Sequence, residues 1–292
     1  EARALDEAVV SAEELRALGR FLVFMQTEPG RFRAKYGEQE KFSGDFESLY
    51  YPGQAVLALT MLHEIDPDPA WLAAAAKGAA YLVRARAGQR RLPSDHWPMI
   101  AAPRLLASWD KLAAPPVAQS EIRAHLIAVG RTMLMEQRQA AQPELRGSFV
   151  PDGRSTPTAT RVEGLVALFD LLGRGEDVSL RAALRQAITE AVAFLLRCQV
   201  LEGPHQGGFV RALRKIPGAG GGFNRRQAEI RIDYVQHALS ALLGYAQLPQ
   251  GSPGARPGDL PPAGRATAER GALGPLPGGP PRTDPSGSAT GR

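Results

Sequence analysis

The chain has 292 residues, 44% of them hydrophobic and 22% charged, a composition that supplies ample core and excludes fibrous and wholly disordered classes. The net charge of +5 is arginine spread along the chain, and the single cysteine, Cys198, excludes an internal disulfide framework and a zinc site of several thiolates. No apolar stretch reaches the roughly 20 residues of a bilayer span, so a soluble protein without a membrane segment is expected.

Helical signals run the length of the chain. Ser11 followed by Glu14 is a capping box that predicts a helix over about 11–26, ended by Pro29 and Gly30. A second helix over 51–64 is closed by the breaker of Asp66, Pro67, Asp68 and Pro69. Asp68 then caps a third, with Pro69 in its first turn, reaching about residue 87. Ser94 and Asp95 open a fourth, to about residue 112, which Pro98 and Pro103 bend. Further helices are expected over about 119–138, 158–173, 179–199 and 232–247. Strand-like alternation is nowhere sustained, so the class is all-α.

Residues 251–292 hold ten glycines, nine prolines and no aromatic residue. Such a stretch buries too little apolar surface to offset chain entropy, so a domain over 1–248 and a disordered tail over 249–292 are expected. The chain begins at Glu1 with no methionine and no signal-like apolar core. A processed or truncated chain is expected, and compartment and oligomeric state stay open.

An apolar pair ahead of a glutamine or arginine recurs about every fifty to sixty residues. The instances are Phe21-Leu22 with Gln26, Tyr81-Leu82 with Arg86, Thr132-Met133 with Gln137, and Phe194-Leu195 with Gln199. Three run on into Gly30-Arg31-Phe32, Gly147-Ser148-Phe149 and Gly207-Gly208-Phe209, and the Arg86 instance reaches only Gly88. The eight helices thus fall into four stacked hairpins. The first helix of each is amphipathic. The second is rich in alanine, glycine and leucine almost all round, as a helix enclosed on most sides would be. Inner and outer rings of helices are expected.

The run from Gly19 to Phe32 resembles the QW repeat of terpenoid cyclases and protein prenyltransferases, with Phe32 where that repeat ends in tryptophan. The segments Tyr50-Tyr51-Pro52-Gly53-Gln54-Ala55 and Ser94-Asp95-His96-Trp97 resemble pieces of six-hairpin sugar-active enzymes, glycosidases and sugar epimerases among them. Both resemblances imply an α/α toroid. Eight helices are too few for a complete six-hairpin ring, so an open ring or missing upstream sequence is expected.

If the second helices line the inside, their first turns gather an unusual polar set at one end. It comprises Tyr50, Tyr51 and Gln54, then Asp95, His96 and Trp97, then Arg161 and Glu163, then Asp233, Tyr234 and His237. Asp95 and Asp233 read equally as helix caps, and His96 and His237 as satisfied histidines near the core. Glu163 is harder to dismiss, because it interrupts a small-apolar helix where an unpartnered carboxylate is costly. Arg161 faces elsewhere on that helix, so its partner is expected from a neighbouring hairpin. Tyr50, Tyr51 and Trp97 read as packing residues or as a sugar platform.

No cofactor is expected: HExxH, paired CxxC, EF-hand and G-x-S-x-G patterns are missing, and Gly218 to Gly222 lacks the lysine and serine of a phosphate loop. Arg211, Arg214, Lys215, Arg225 and Arg226, with Phe209 and Phe223, have the look of a nucleic-acid groove. No binding motif accompanies them, so no nucleic-acid partner is expected and they read as a solvated loop or a hold on an anionic substrate. The leading expectation is a glycan- or sugar-active hydrolase, lyase or epimerase acting on a small molecule or oligosaccharide. Glu163, Asp95 and Asp233 would be its carboxylates, His96 and His237 alternative acid–base groups, and Tyr50, Tyr51, Gln54, Trp97, Arg161 and Tyr234 substrate contacts. An isoprenoid cyclase or prenyltransferase relative and a non-catalytic binding scaffold are the alternatives.

Overall fold

The first helix starts as its sequence demands. Ser11 Oγ accepts from the Glu14 N–H at 3.2 Å, and the Glu14 carboxylate accepts from the Ser11 N–H at 2.8 Å. Two of the donors left over at a helix start are satisfied this way. The structure is a computed structural model that describes residues 10–37, 48–139, 142–173, 177–218 and 221–249. All of them lie in one unit, Glu1–Pro249; of the expected tail, 249–292, residues 250–292 lie outside the described residues.

Nine helices occur among the described residues. They are α1 (Ala12–Phe24), α2 (Tyr51–Ile65), α3 (Pro69–Ala85), α4 (Trp97–Ala107), α5 (Gln119–Arg138), α6 (Ser155–Leu171), α7 (Val178–Arg197), the short α8 (Gly221–Arg225) and α9 (Ile232–Gln247). Among the described residues extended pairing is confined to isolated bridges, such as Gln26 with Phe32 and Gln199 with Phe209. The fold is all-α. None of the described helices is long and apolar enough to cross a membrane.

The helices pack as two layers. In one, α2 lies against α4, α4 against α6 and α6 against α9. In the other, α1 lies against α3, α3 against α5 and α5 against α7, and each backs the first layer. The inner helices are built for close approach: α2 buries Gly53, Ala55, Val56 and Leu59, and α6 buries Ala159, Val162, Gly164 and Leu165. Burial of this kind stabilises by roughly 25 cal/mol per Å² of apolar surface, which is what holds the two layers together. The expectation that every second helix is enclosed fails for α9, where Leu239 and Leu243 are 53% and 54% exposed. Among the described residues no further helix of the row packs beyond α9, so its outer face is left uncovered by them.

At two of its positions, Gln26 and Gln137, the recurrent glutamine is a stitch between outer helices. Gln26 Nε2 donates to the carbonyl of Ala74 in α3 at 2.9 Å and to that of Gly30 at 3.3 Å. Gln137 Nε2 repeats this one layer on, to Ala187 in α7 at 2.8 Å and to Gly147 at 3.1 Å. Gly147 has a φ of 92°, and a side chain there would overlap the Glu190 carbonyl, so only glycine passes. Phe32, Phe149 and Phe209, which close the repeats, are all buried. Arg86 holds the glutamine's place in the second repeat and makes a different bond, described below.

The fourth helix departs from its expected span of 94–112. It begins at Trp97, with Pro98 in the first turn where the missing N–H is no loss, and stops at Ala107 soon after Pro103. A 3-10 turn, Trp109–Lys111, follows. Cys198 is buried, and burial pushes its thiol up to about 12, so it stays an inert protonated thiol.

Candidate functional site

Glu163 projects from α6 among Val162, Gly164 and Leu165. The absence of a side chain at Gly164 lets the start of α4 press against α6: a Cβ there would stand 2.9 Å from His96 Cβ and 3.0 Å from Met99 Sδ. That approach seats His96, the residue before α4, beside the carboxylate. From the other side α9 delivers His237, whose Nδ1 lies 3.1 Å from Glu163 Oε2 and 3.3 Å from Oε1. His96 Nε2 lies 3.8 Å from the same Oε2, too long for a hydrogen bond. The side chains of His96, Glu163 and His237 are 2%, 7% and 16% exposed, so only His237 meets solvent to any extent.

Aromatic rings close the cluster. The His96 and His237 rings meet edge to face at 6.2 Å, and Tyr50 and Trp97 flank His96 at 5.4 Å and 4.9 Å. Among the described residues neither ring nitrogen of His96 has a hydrogen-bond partner. Burial, reinforced by the charges of His237 and Arg161, pushes His96 down to about 3, so its ring is neutral at physiological pH. One donor and one acceptor therefore stand unpaired in a buried place, a cost that a bound polar group would remove.

Arg161 is held by Glu136 of α5. Its Nε donates to Glu136 Oε2 at 3.1 Å and its Nη1 to the Pro157 carbonyl at 3.0 Å. Glu136 also accepts from Ser94 Oγ at 2.7 Å and from Arg91 Nη2 at 3.1 Å. The partner of Arg161 thus comes from the outer helix of its own hairpin, not a neighbouring one, and it ties down the loop that delivers His96.

The remaining expected residues go elsewhere. Asp95 is fully buried and accepts from Arg86 Nη2 at 2.8 Å, while the Trp97 N–H donates to its other oxygen at 3.3 Å. Burial pushes its carboxyl up to about 6, against the pull of Arg86. Asp233 lies in the first turn of α9 after the N-cap, Arg231, whose Nε stands 2.9 Å from Oδ1 without hydrogen-bond geometry. Tyr234 is buried, with the Arg231 guanidinium 5.4 Å over its ring. Tyr51 packs edge-on against Phe32 at 6.5 Å, and Gln54 is exposed. Of the eleven expected side chains, Glu163, His96, His237, Tyr50 and Trp97 converge, with Arg161 acting on His96 by charge.

Sequence reasoning overlooked Arg86 and Glu136 as organisers. Each sits at or next to the repeat's glutamine position, a signal that was available. Among the described residues no group of three or more His, Cys, Asp or Glu side chains is arranged to hold a metal ion. The basic loop is folded, not splayed: Arg211 lies 4.6 Å over the Phe223 ring, its N–H donates to the Glu229 carbonyl, and Arg226 pairs with Glu229. Comparison with family models, with curated proteins and with solved structures returned no match.

Proposed function

We propose that the protein is an acid–base enzyme acting on a polar, sugar-like small molecule, with Glu163 and His237 as its proton-transferring pair. The observation that carries this reading is the carboxylate of Glu163 set between two imidazoles, 3.1 Å from His237 Nδ1 and 3.8 Å from His96 Nε2. A carboxylate on one ring nitrogen orients an imidazole and leaves its other nitrogen to take or give a proton. His96, kept neutral by burial, is suited to hydrogen-bonding an uncharged hydroxyl or carbonyl oxygen. Tyr50 and Trp97 offer ring faces beside it.

Among sugar chemistries, proton removal and return, as in an epimerase or lyase, suits this set better than hydrolysis by paired carboxylates. Asp95 is engaged by Arg86 and Asp233 by Arg231, so neither stands opposite Glu163 as the second carboxylate that hydrolysis needs. An isoprenoid cyclase would want a dry aromatic cavity, and the centre here is polar. The two layers of four inner and four outer helices support a partial α/α toroid with this cluster on its inner row. A non-catalytic scaffold remains the second reading, favoured by the uncovered leucines of α9.

The test is a screen of monosaccharides and oligosaccharides with product analysis, followed by Glu163→Gln and His237→Asn. Each substitution is expected to lower turnover by about 100-fold or more, the usual worth of a positioned proton-transfer group. Unchanged turnover in both variants on a substrate the wild type converts would remove the pair from the mechanism.

A further inference from the structure

His96 owes its place to other residues. Among the described residues its ring nitrogens have no hydrogen-bond partner, so the ring does not anchor itself. The two residues before it are anchored instead. Ser94 and Asp95 are both buried, Asp95 bonded to Arg86 at the C-cap of α3 and Ser94 to Glu136 of α5.

Glu136 lies in the last turn of an outer helix, where the helix's own dipole disfavours a negative charge. Its side chain is 16% exposed. Oε1 accepts from Arg91 Nη2, and Oε2 accepts from both Ser94 Oγ and Arg161 Nε, at 2.7 Å and 3.1 Å. Ser94 stands two residues before His96, and Arg161 two residues before Glu163. One oxygen of the outer layer therefore joins the two segments that carry His96 and Glu163. Hydrogen bonds between a carboxylate and guanidinium groups are among the stronger ones, so the junction holds both segments firmly. Its removal would leave Arg161, 13% exposed, without its counter-charge and Ser94 without its acceptor.

We infer that Glu136 is a positioning residue of the proton-transfer site, setting through Ser94 and Arg161 where His96 stands relative to Glu163, a role that rests on the proposed acid–base chemistry of that site.

The experiment is nitrogen NMR of the imidazole rings in the full chain, beside turnover on a substrate from the sugar screen. The His96 signals are those lost in His96→Asn. Glu136→Ala should shift them and lower kcat by about tenfold or more, since a displacement of ~1 Å can cost about 100-fold. Glu136→Gln keeps an oxygen at the junction and should return both readings most of the way to wild type. Glu190→Ala is the control: it breaks the ion pair with Arg146 in the outer layer and should leave the His96 signals where they are. If Glu136→Ala does not fold, Ser94→Ala, which cuts one arm of the junction, takes its place with the same shift expected. The ring signals need no turnover, so failure of the proposed chemistry, read from Glu163→Gln and His237→Asn, is told apart from failure here. The inference is overturned by His96 signals or a kcat unmoved in the folded variant. It is overturned equally by signals shifted as far in Glu190→Ala, or no nearer wild type in Glu136→Gln than in Glu136→Ala.

Discussion

At the scale of single residues, Gly164 decides whether the cluster exists. A methyl group there would press on His96 Cβ and Cα and on Met99 Sδ, the first two of which have little room to yield. Gly164→Ala is therefore expected to displace His96 and lower turnover as well as stability, the latter by about 1–3 kcal/mol. Gly130→Ala is the control, because its new methyl would meet the far end of the buried Leu168 side chain and not His96. That variant should lose stability and keep turnover. Equal losses of turnover in the two, measured beside their melting temperatures, would show that His96 has no special place. The pairing of Glu163 with His237 spans 74 residues of sequence. Sequence alone marks each as a polar residue on an apolar helix; which ones meet depends on inner helices packing side by side. Asp95 illustrates the cost of that ignorance, since its neighbour Arg86 lies on the far side of a loop and captures it.

At the scale of elements, the repeat was legible as a pattern before its physical meaning was. Helix starts with a side-chain cap, such as Ser11 and Asp68, follow their sequence closely. Uncapped starts at Tyr51, Gln119 and Ile232 also fall where expected, but α6 opens at Ser155, ahead of the expected 158, because its preceding residue Arg154 pairs with Ala212 and sets the entry. The glutamine stitches give the pattern a physical meaning in two of its four instances, at Gln26 and Gln137, where each joins two outer helices. Gln137→Ala leaves the Gly147 and Ala187 carbonyls without this donor in a buried place, and should cost about 1–3 kcal/mol in urea unfolding. The matching Gln26→Ala, at a partly exposed end of the layer, should cost less. A larger loss at Gln26 than at Gln137 would contradict burial as the source of the effect.

At the scale of the whole molecule, three buried groups set the response to acid. Burial holds His96 at about 3 and His125 at about 4, below the ordinary 6.5, so the unfolded chain takes up those protons first and stability is lost as pH falls. Asp95, raised to about 6 from the ordinary 3.8, acts in the opposite sense, because the folded chain protonates it first. Between about pH 6 and about pH 4 the unfolded state thus holds one more proton than the folded state, two gained against one. Stability should fall by about 1.4 kcal/mol for each pH unit of acidification in that window. His125→Leu removes one of the two opposing histidines and should leave the profile nearly level there. Urea midpoints at about pH 4.5 and about pH 5.5 check both slopes; a wild-type midpoint that rises on acidification would refute the assignment.

The uncovered outer face of α9 carries a consequence for how the protein fails. His237 belongs to α9, one of the two end members of the inner row, flanked within it by α6 alone, and such edges are the first to fray. The pairing of Glu163 with His237 is consequently assembled across the last seam of that row, between α6 and α9. Loosening α9 would part His237 from Glu163 while α2, α4 and α6 kept their mutual packing.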